Sequence, residues 1–291
     1  MHEGSRDGAR HPGTSWWRSL LFVPGSRTDR YPKGLGSGAD LVCVDLEDAV
    51  APGEKDSARR SVLDLIQGAT WRADRSAVRV NPARLEAGGD DLAALASLPA
   101  AEPLTVVVPK VDGPSDVERV RDALATGGRE VTLVAMIETA RGLENAASIA
   151  GMPDVSALFL GAVDLAAELG CSLEWDALLY ARSRLVHAAA LGGVSVIDVP
   201  YLELDDVAGV GAEARDVAAL GFTAKAAIHP RQVEPIHDAF RPGPDDVARA
   251  RRMLDAYHRA GGGVISFEGA MVDRPVVEAA RRTLQRAQAP R

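Results

Sequence analysis

Eight short apolar runs, rich in β-branched residues, recur along the chain, and a charged or imidazole side chain stands at or just past the end of nearly every one. The runs are SLLFVP (19–24), ADLVCVDL (39–46), AVRVN (77–81), LTVVVPK (104–110), VTLVAMIE (131–138), ALFLGAV (157–163), VSVIDV (194–199) and AKAAIHP (224–230). At or past their ends come Glu47 and Asp48, Arg79, Lys110, Glu138, Asp164, Asp198 and His229. Continuous apolar runs, unlike alternating ones, belong to strands covered on both faces, as in a parallel sheet flanked by helices. The intervening segments supply the helices: 55–67, 90–98, 115–126, 140–150, 173–191 and 204–220 carry apolar residues at helical spacing. Gly68, Gly127, Gly151, Gly192 and Gly221 fall where helix caps are expected. Eight such repeats predict an α/β fold, a closed (β/α)8 TIM barrel, whose chemistry gathers at the C-terminal ends of the strands. The charged residues that close the runs therefore outline one pocket.

The repeat also sets the domain plan. A barrel of this kind takes about 250 residues, so 291 residues hold one barrel and a terminal addition. Residues 1–17 lack the apolar stretch of a secretory signal and read as a flexible leader, apart from Trp16 and Trp17, which are expected to pack against the barrel's base. The barrel is expected over 18–241 and a C-terminal helical extension over 242–291. Helices at 231–240, 245–260 and 273–288 are read there, with a hinge at Gly261, Gly262 and Gly263. The extension reads as a lid over the barrel mouth or as an arm on a neighbouring subunit. A net charge of −8 argues against a nucleic-acid partner, which needs a basic footprint. No apolar stretch is long enough to span a bilayer. Two cysteines, Cys43 and Cys171, make no disulfide framework, so a cytoplasmic setting is expected.

Glu138 and Asp164 end neighbouring runs and face one cavity in a barrel. Two such carboxylates repel unless a proton or cation lies between them. Mg2+ suits the pair, since it takes one or two protein carboxylates and fills its other sites with water and substrate. The alternative is that each acid caps the helix that follows. Arg79 suits bidentate recognition of a carboxylate, or a salt bridge to Glu47 or Asp48. Those two acids would hold metal-bound waters or position Arg79 and Lys55. Lys110 neutralises a substrate anion or pairs with Asp112; His229 reads as a hydrogen-bonded, buried histidine or a catalytic one. No H-E-x-x-H, C-x-x-C pair or G-x-S-x-G is present, and the glycines of GLGSGAD (34–40) precede a strand where a dinucleotide fingerprint follows one.

The motifs RSLLFVPG (18–25), DLEDAV (45–50), VRVNP (78–82), VPKV (108–111), MIETARGL (136–143), DLAAELG (164–170), IDVPY (197–201) and AIHPRQV (227–233) follow one another in this order. Over about residues 18–286 the chain thereby resembles the citrate lyase beta-subunit-like group of the HpcH/HpaI aldolase superfamily, which includes malyl-CoA and citramalyl-CoA lyases. The resemblance implies a TIM barrel and Mg2+-dependent chemistry, with Mn2+ as a substitute, on a carbon–carbon bond next to a coenzyme A thioester. It implies Glu138 and Asp164 as metal ligands, and Arg79 on the substrate carboxylate or carbonyl. Asp273, in MVDRP (271–275), matches the family's acid/base, which can come from a neighbouring subunit. Glu47 completes the catalytic set with Arg79 and Asp273, and Lys110, Gly161, Ala162 and Val163 complete the substrate contacts with Arg79. Val163, Val199 and Ala270 depart from the usual pattern.

The activity implied is cleavage of a β-hydroxyacyl-CoA such as malyl-CoA or citramalyl-CoA into an acyl-CoA and an α-keto acid (pyruvate, glyoxylate or oxaloacetate). Thioester hydrolysis in the same site is one alternative; a citrate lyase beta-type subunit acting on an acyl-carrier-protein thioester is another. A homo-oligomer, trimer or hexamer, with the C-terminal tail near a neighbouring site is expected. Arg18, Arg27, Arg30 and Lys33 are candidates for the CoA phosphates, or else form a solvated charged loop.

Overall fold

The computed structural model describes residues 17–99, 102–125 and 128–288. Eight strands follow in order: β1 (Ser19–Pro24), β2 (Leu41–Asp45), β3 (Ser76–Arg79), β4 (Leu104–Val108), β5 (Val131–Ile137), β6 (Val155–Leu160), β7 (Ser195–Asp198) and β8 (Ala224–Ala227). Each pairs in parallel with the next, and β8 pairs back onto β1, closing the barrel. The helices of this part are α1 (Tyr31–Gly36), α2 (Lys55–Gln67), α3 (Glu86–Ala96), α4 (Pro114–Leu124), α5 (Ala140–Glu144), α6 (Ala146–Ala150), α7 (Ala162–Leu169), α8 (Trp175–Gly192), α9 (Val207–Leu220) and α10 (Val233–Phe240). The expected (β/α)8 barrel is therefore the observed fold.

Alternate residues of the strands build the interior. Leu20, Cys43, Ala77, Val107, Val134, Met136, Ala157, Phe159, Ile197, Ala224 and Ala226 form one buried cluster. Trp17 joins it, as expected of a residue at the barrel's base; Trp16 lies outside the described residues. Because side chains alternate along a strand, residues two places beyond an interior one also point inward. Asp45, Arg79, Glu138 and Gly161 stand in that relation to Cys43, Ala77, Met136 and Phe159. Asp198 and Lys225 have the opposite parity and face the surrounding helices, where both are fully buried.

The helix ends differ in detail from expectation. Gly221 does cap α9 in the left-handed conformation, with φ of 119°. At α8 that role falls to Gly193 (φ 69°), one residue after the expected Gly192. Gly192 is a glycine for another reason: a Cβ there would collide with the backbone of Ala150 in α6. Gly68 and Gly151 cap with negative φ, and Gly127 lies outside the described residues. The helix expected over 140–150 breaks at Asn145, whose side chain turns away to donate to the Asp112 carbonyl at 2.7 Å.

The chain divides after Ile236, within α10, into two compact units. The second contains α11 (Pro244–Arg259), a hairpin of β9 (Ile265–Phe267) and β10 (Ala270–Val272), and α12 (Arg274–Ala287). Its own small core gathers Ala250, Met253, Val272, Val277 and Ala280. Gly261, Gly262 and Gly263 all have positive φ, so three successive positions use the left-handed region that side chains disfavour. Arg249 and Arg252 both donate to Glu268 at the hairpin turn, at 3.0 and 2.9 Å. No helix among the described residues is long and apolar enough to cross a membrane.

Candidate functional site

Asp45, the last residue of β2, organises one side of the barrel mouth. Its carboxylate accepts from the amides of Glu47 and Ala49, at 2.9 and 3.1 Å, and so shapes the turn that follows. The same two oxygens accept from Nε and Nη2 of Arg79, both at 2.7 Å, in a bidentate pair. Arg79 Nη1 lies 2.9 Å from Glu47 Oε2 and 3.9 Å from Asp48. Its guanidinium stands 4.8 Å above the ring of Phe22, which stacks on Phe159. Burial opposes the Arg79 charge, but the bonds and charges of Asp45 and Glu47 outweigh it and raise the pKa further. Arg79 is thus a fixed cation held by acids, combining the salt-bridge reading with a position on the cavity.

Glu138 follows β5 and is only 3% exposed. Its Oε1 accepts from the amide of Lys110 at 2.7 Å, an approach made by Lys110 adopting φ of 53°. From that strained turn the Lys110 ammonium reaches across to Asp164 Oδ2 and lies 3.9 Å from Glu138 Oε1. Both candidate carboxylates therefore converge on one positive charge. Burial raises the Glu138 pKa, against the lowering charge of Lys110. Gly161, at the entry to α7, has to be small here, because a Cβ would run into the Glu138 side chain. Asp164 sits in the first turn of α7 with its side chain 39% exposed.

The capping alternatives are not realised for these acids. Thr139 caps α5 by accepting from Gly142, and the cap position of α7 is Gly161, which has no side chain. Lys110 does not pair with Asp112 either, since Asp112 is engaged by Arg84 at 2.8 Å and by Thr139 at 2.6 Å. Glu47 is buried, which raises its carboxyl to about 8 against the pull of Arg79, and its Oε2 has no hydrogen bond. Lys55 buttresses the same turn by donating to the carbonyls of Leu46 and Glu47, at 2.7 and 2.6 Å.

Asp45, Asp48, Arg79, Glu138, Gly161, Ala162, Val163 and Asp164 line a single cavity of about 370 Å³. Its remaining lining includes Phe22, Met136, Phe159, Val199, Leu202 and Ile228. Among the described residues no cluster of three or more His, Cys, Asp or Glu could hold a metal. A cation here would rest on two carboxylates. Three residues noted in the sequence lie elsewhere or do other work. Asp198 faces outward and pairs with Arg182 and Lys225, at 3.0 and 2.7 Å. His229 is half-buried, with Nδ1 accepting from the Arg231 amide, and burial lowers its pKa, as does Arg231. Asp273 belongs to the second unit, where it caps α12 by accepting from Val276. Of the basic cluster near β1, Arg18 pairs with Asp40 and Arg27 with Asp29, each at 2.9 Å. Asp45 is the residue sequence reasoning passed over. It stood inside DLEDAV at the end of a fully buried strand, whose unbroken apolar run gave no sign that Asp45 points inward.

The family model for HpcH/HpaI aldolase/citrate lyase matches residues 18–230. A protein of Cereibacter sphaeroides named (3S)-malyl-CoA thioesterase is 36% identical over 278 residues, covering 94% of this chain and 95% of its own. A citrate lyase subunit beta-like protein of Deinococcus radiodurans is 39% identical over 279 residues, 92% of this chain and 96% of its own. Among solved structures, the CitE protein of Mycobacterium tuberculosis, crystallised with magnesium, acetoacetate and coenzyme A, matches with a TM-score of 0.79. It is 35% identical and covers 93% of this chain and 98% of that one.

Proposed function

The chain belongs to the HpcH/HpaI aldolase/citrate lyase family, and from that premise we propose that it is a Mg2+-dependent carbon–carbon lyase. It cleaves a β-hydroxyacyl-CoA thioester such as malyl-CoA or citramalyl-CoA into an acyl-CoA and a 2-oxo acid. The observation that carries this reading is the convergence of Glu138 and Asp164 on one cation, the Lys110 ammonium. The magnesium, acetoacetate and coenzyme A of the mycobacterial relative support it. Two carboxylates, one of them buried, match what Mg2+ asks of a protein, since the ion takes its other oxygens from water and substrate. When bound, Mg2+ supplies a Lewis acid for the oxygen at the carbon that becomes the ketone.

The chain's own groups do the rest. Lys110 and the first-turn amides of α7, which have no partner within the helix, receive the carboxylate of the 2-oxo acid unit. Arg79, oriented by Asp45 and Glu47, offers fixed positive charge to the enolate oxygen of the leaving acyl-CoA. Asp273 gives a proton to the enolate carbon in cleavage and removes it in condensation, in a homo-oligomer, trimer or hexamer, whose tails serve neighbouring barrels. The name of the Cereibacter relative favours a second reading, water attack on the thioester carbonyl in the same cavity. The name of the Deinococcus relative favours a third, action as a subunit on a carrier-protein thioester.

One experiment separates them: purified protein with Mg2+ and malyl-CoA or citramalyl-CoA, followed by product analysis. The lyase releases a 2-oxo acid and a shorter acyl-CoA. Free CoA with the intact hydroxy acid would replace the lyase reading by hydrolysis, and inertness toward free CoA esters would favour the carrier-protein reading.

A further inference from the structure

The segments IDVPY (197–201) and AIHPRQV (227–233) place no charged side chain on the cavity. With Leu202 they build one wall of it, through Val199, Pro200, Leu202 and Ile228. Leu202 and Ile228 are 49 and 39% exposed, so burial alone does not hold them in place. Nor does the barrel's ladder, because β7 ends at Asp198 and β8 at Ala227. A buried carboxamide ties the two segments together. Gln232 lies in the 3-10 turn Pro230–Gln232, is 1% exposed and stands outside the cavity lining. Its Oε1 accepts from the amides of Ile228 and His229, at 2.9 and 3.2 Å, and its Nε2 donates to the Tyr201 carbonyl at 2.8 Å.

A carboxamide carries an acceptor and a donor on one carbon and can close such a bridge, whereas an alkyl group or an ionised carboxylate cannot. Its oxygen serves the first two amides beyond the last paired residue of β8. The far side of the bridge is fixed as well. Lys225 Nζ donates to the Val199 carbonyl at 2.6 Å, and the Tyr201 hydroxyl donates to Asp206, the cap of α9, at 2.8 Å. A Cβ at Gly209 would collide with both that hydroxyl and that carboxylate. The geometry points to Gln232 as a positioning residue for substrate: without reaching the cavity, it sets Leu202 against Ile228 and so shapes the wall. This inference rests on the reading that the cavity takes a thioester, whichever bond is then broken. Arg79, Glu138 and Asp164 belong to other elements and keep their own partners when the bridge is cut. The loss therefore falls on binding and not on the chemical step.

The test compares the full-length, Mg2+-loaded protein with two variants. Gln232→Asn is one methylene too short to span the bridge, and Gln232→Met keeps the length but loses all three hydrogen bonds. Initial rates are followed as disappearance of malyl-CoA or citramalyl-CoA, whichever is consumed faster, and the products are identified. KM should rise about tenfold in both variants, with kcat within about threefold of the unmodified protein and Mg2+ affinity unchanged. Hydrogen exchange at the Ile228 and His229 amides should quicken at least about tenfold in Gln232→Met. An unchanged KM overturns the proposal, and so does a fall in kcat at constant KM, which would place Gln232 in the chemical step. Unchanged exchange removes the bridge itself. Should Gln232→Met fail to fold, Gln232→Asn, which keeps an amide in the buried turn, decides alone. An unmodified protein that only hydrolyses its thioester would sink the lyase reading and leave this one standing, since the wall serves either bond. One that leaves both thioesters intact overturns both.

Discussion

Glu138 reaches the cavity at the cost of its own solvation, which the Lys110 cation, the Lys110 amide and the charge of Arg79 offset only in part. Replacing it by Gln, or Asp164 by Asn, removes half of the charge that holds that cation. Each change should weaken Mg2+ binding at least about a hundredfold by calorimetry while leaving the circular dichroism of the fold intact. Binding within a few fold of the unmodified protein would remove that residue as a ligand. Glu47 poses a different question. Its carboxyl is raised from 4.5 to about 8, first by burial. The folded chain therefore holds this proton more tightly than the unfolded chain does. The resulting stabilisation is complete below about pH 4.5, is lost progressively as pH rises toward about 8, and changes no further above that. Glu47→Gln keeps the shape and cannot ionise, so its stability relative to the unmodified protein should rise across that window. The slope is at most about 1.4 kcal/mol per pH unit, read from urea unfolding in metal-free buffer. A flat difference would mean that Arg79 keeps Glu47 ionised throughout.

At the scale of elements, strand parity decides which charged residues reach the cavity. The apolar runs disclosed eight strands, because buried parallel strands need unbroken hydrocarbon on both faces. They did not disclose parity, since an unbroken run looks alike from inside and outside. Hence Asp198 resembled Glu138 in the sequence, yet it points to the helices, where it meets Arg182 of α8 and Lys225 of β8. Lys225 also contacts Glu213 of α9 at 2.6 Å and the Val199 carbonyl at 2.6 Å, with no exposed surface of its own. This network ties β7 and β8 to both helices. The hairpin of β9 and β10 escaped reading for another reason: strands of three residues carry too little pattern. Lys225→Met strands two carboxylates beside one guanidinium and should cost about 3 kcal/mol in urea unfolding. A loss below about 1 kcal/mol would show that the network is not holding the two strands to their helices. Asp198→Leu combined with Lys225→Met should cost less than the two single changes added together, because the stranded charges disappear as a pair.

For the whole molecule the open requirement is a group to move the proton at the acyl α-carbon. Within the barrel cavity, Asp45 is committed to Arg79, and Glu138 and Asp164 share a cation. Asp48 is the remaining acid of that lining, and its side chain is 74% exposed to water. Such a carboxylate keeps its solvent and is a poor match for an enolate that water must not reach. The sequence instead points to Asp273, which resemblance alone could find, because a helix-capping aspartate carries no local mark of catalysis. Asp273→Asn should lower lyase turnover at least about a hundredfold with Mg2+ binding unchanged, while Asp48→Asn should keep most of it; the reverse pattern would transfer the role to Asp48. Whether the tail serves its own barrel or a neighbour's is then a matter of mixing two inactive chains. In oligomers co-expressed from Asp273→Asn and Glu138→Gln, a shared site can pair an intact barrel with an intact tail from the other chain. Random assembly should restore about a quarter of full activity. A tail that acts only within its own chain restores none, since every barrel then carries one of the two defects.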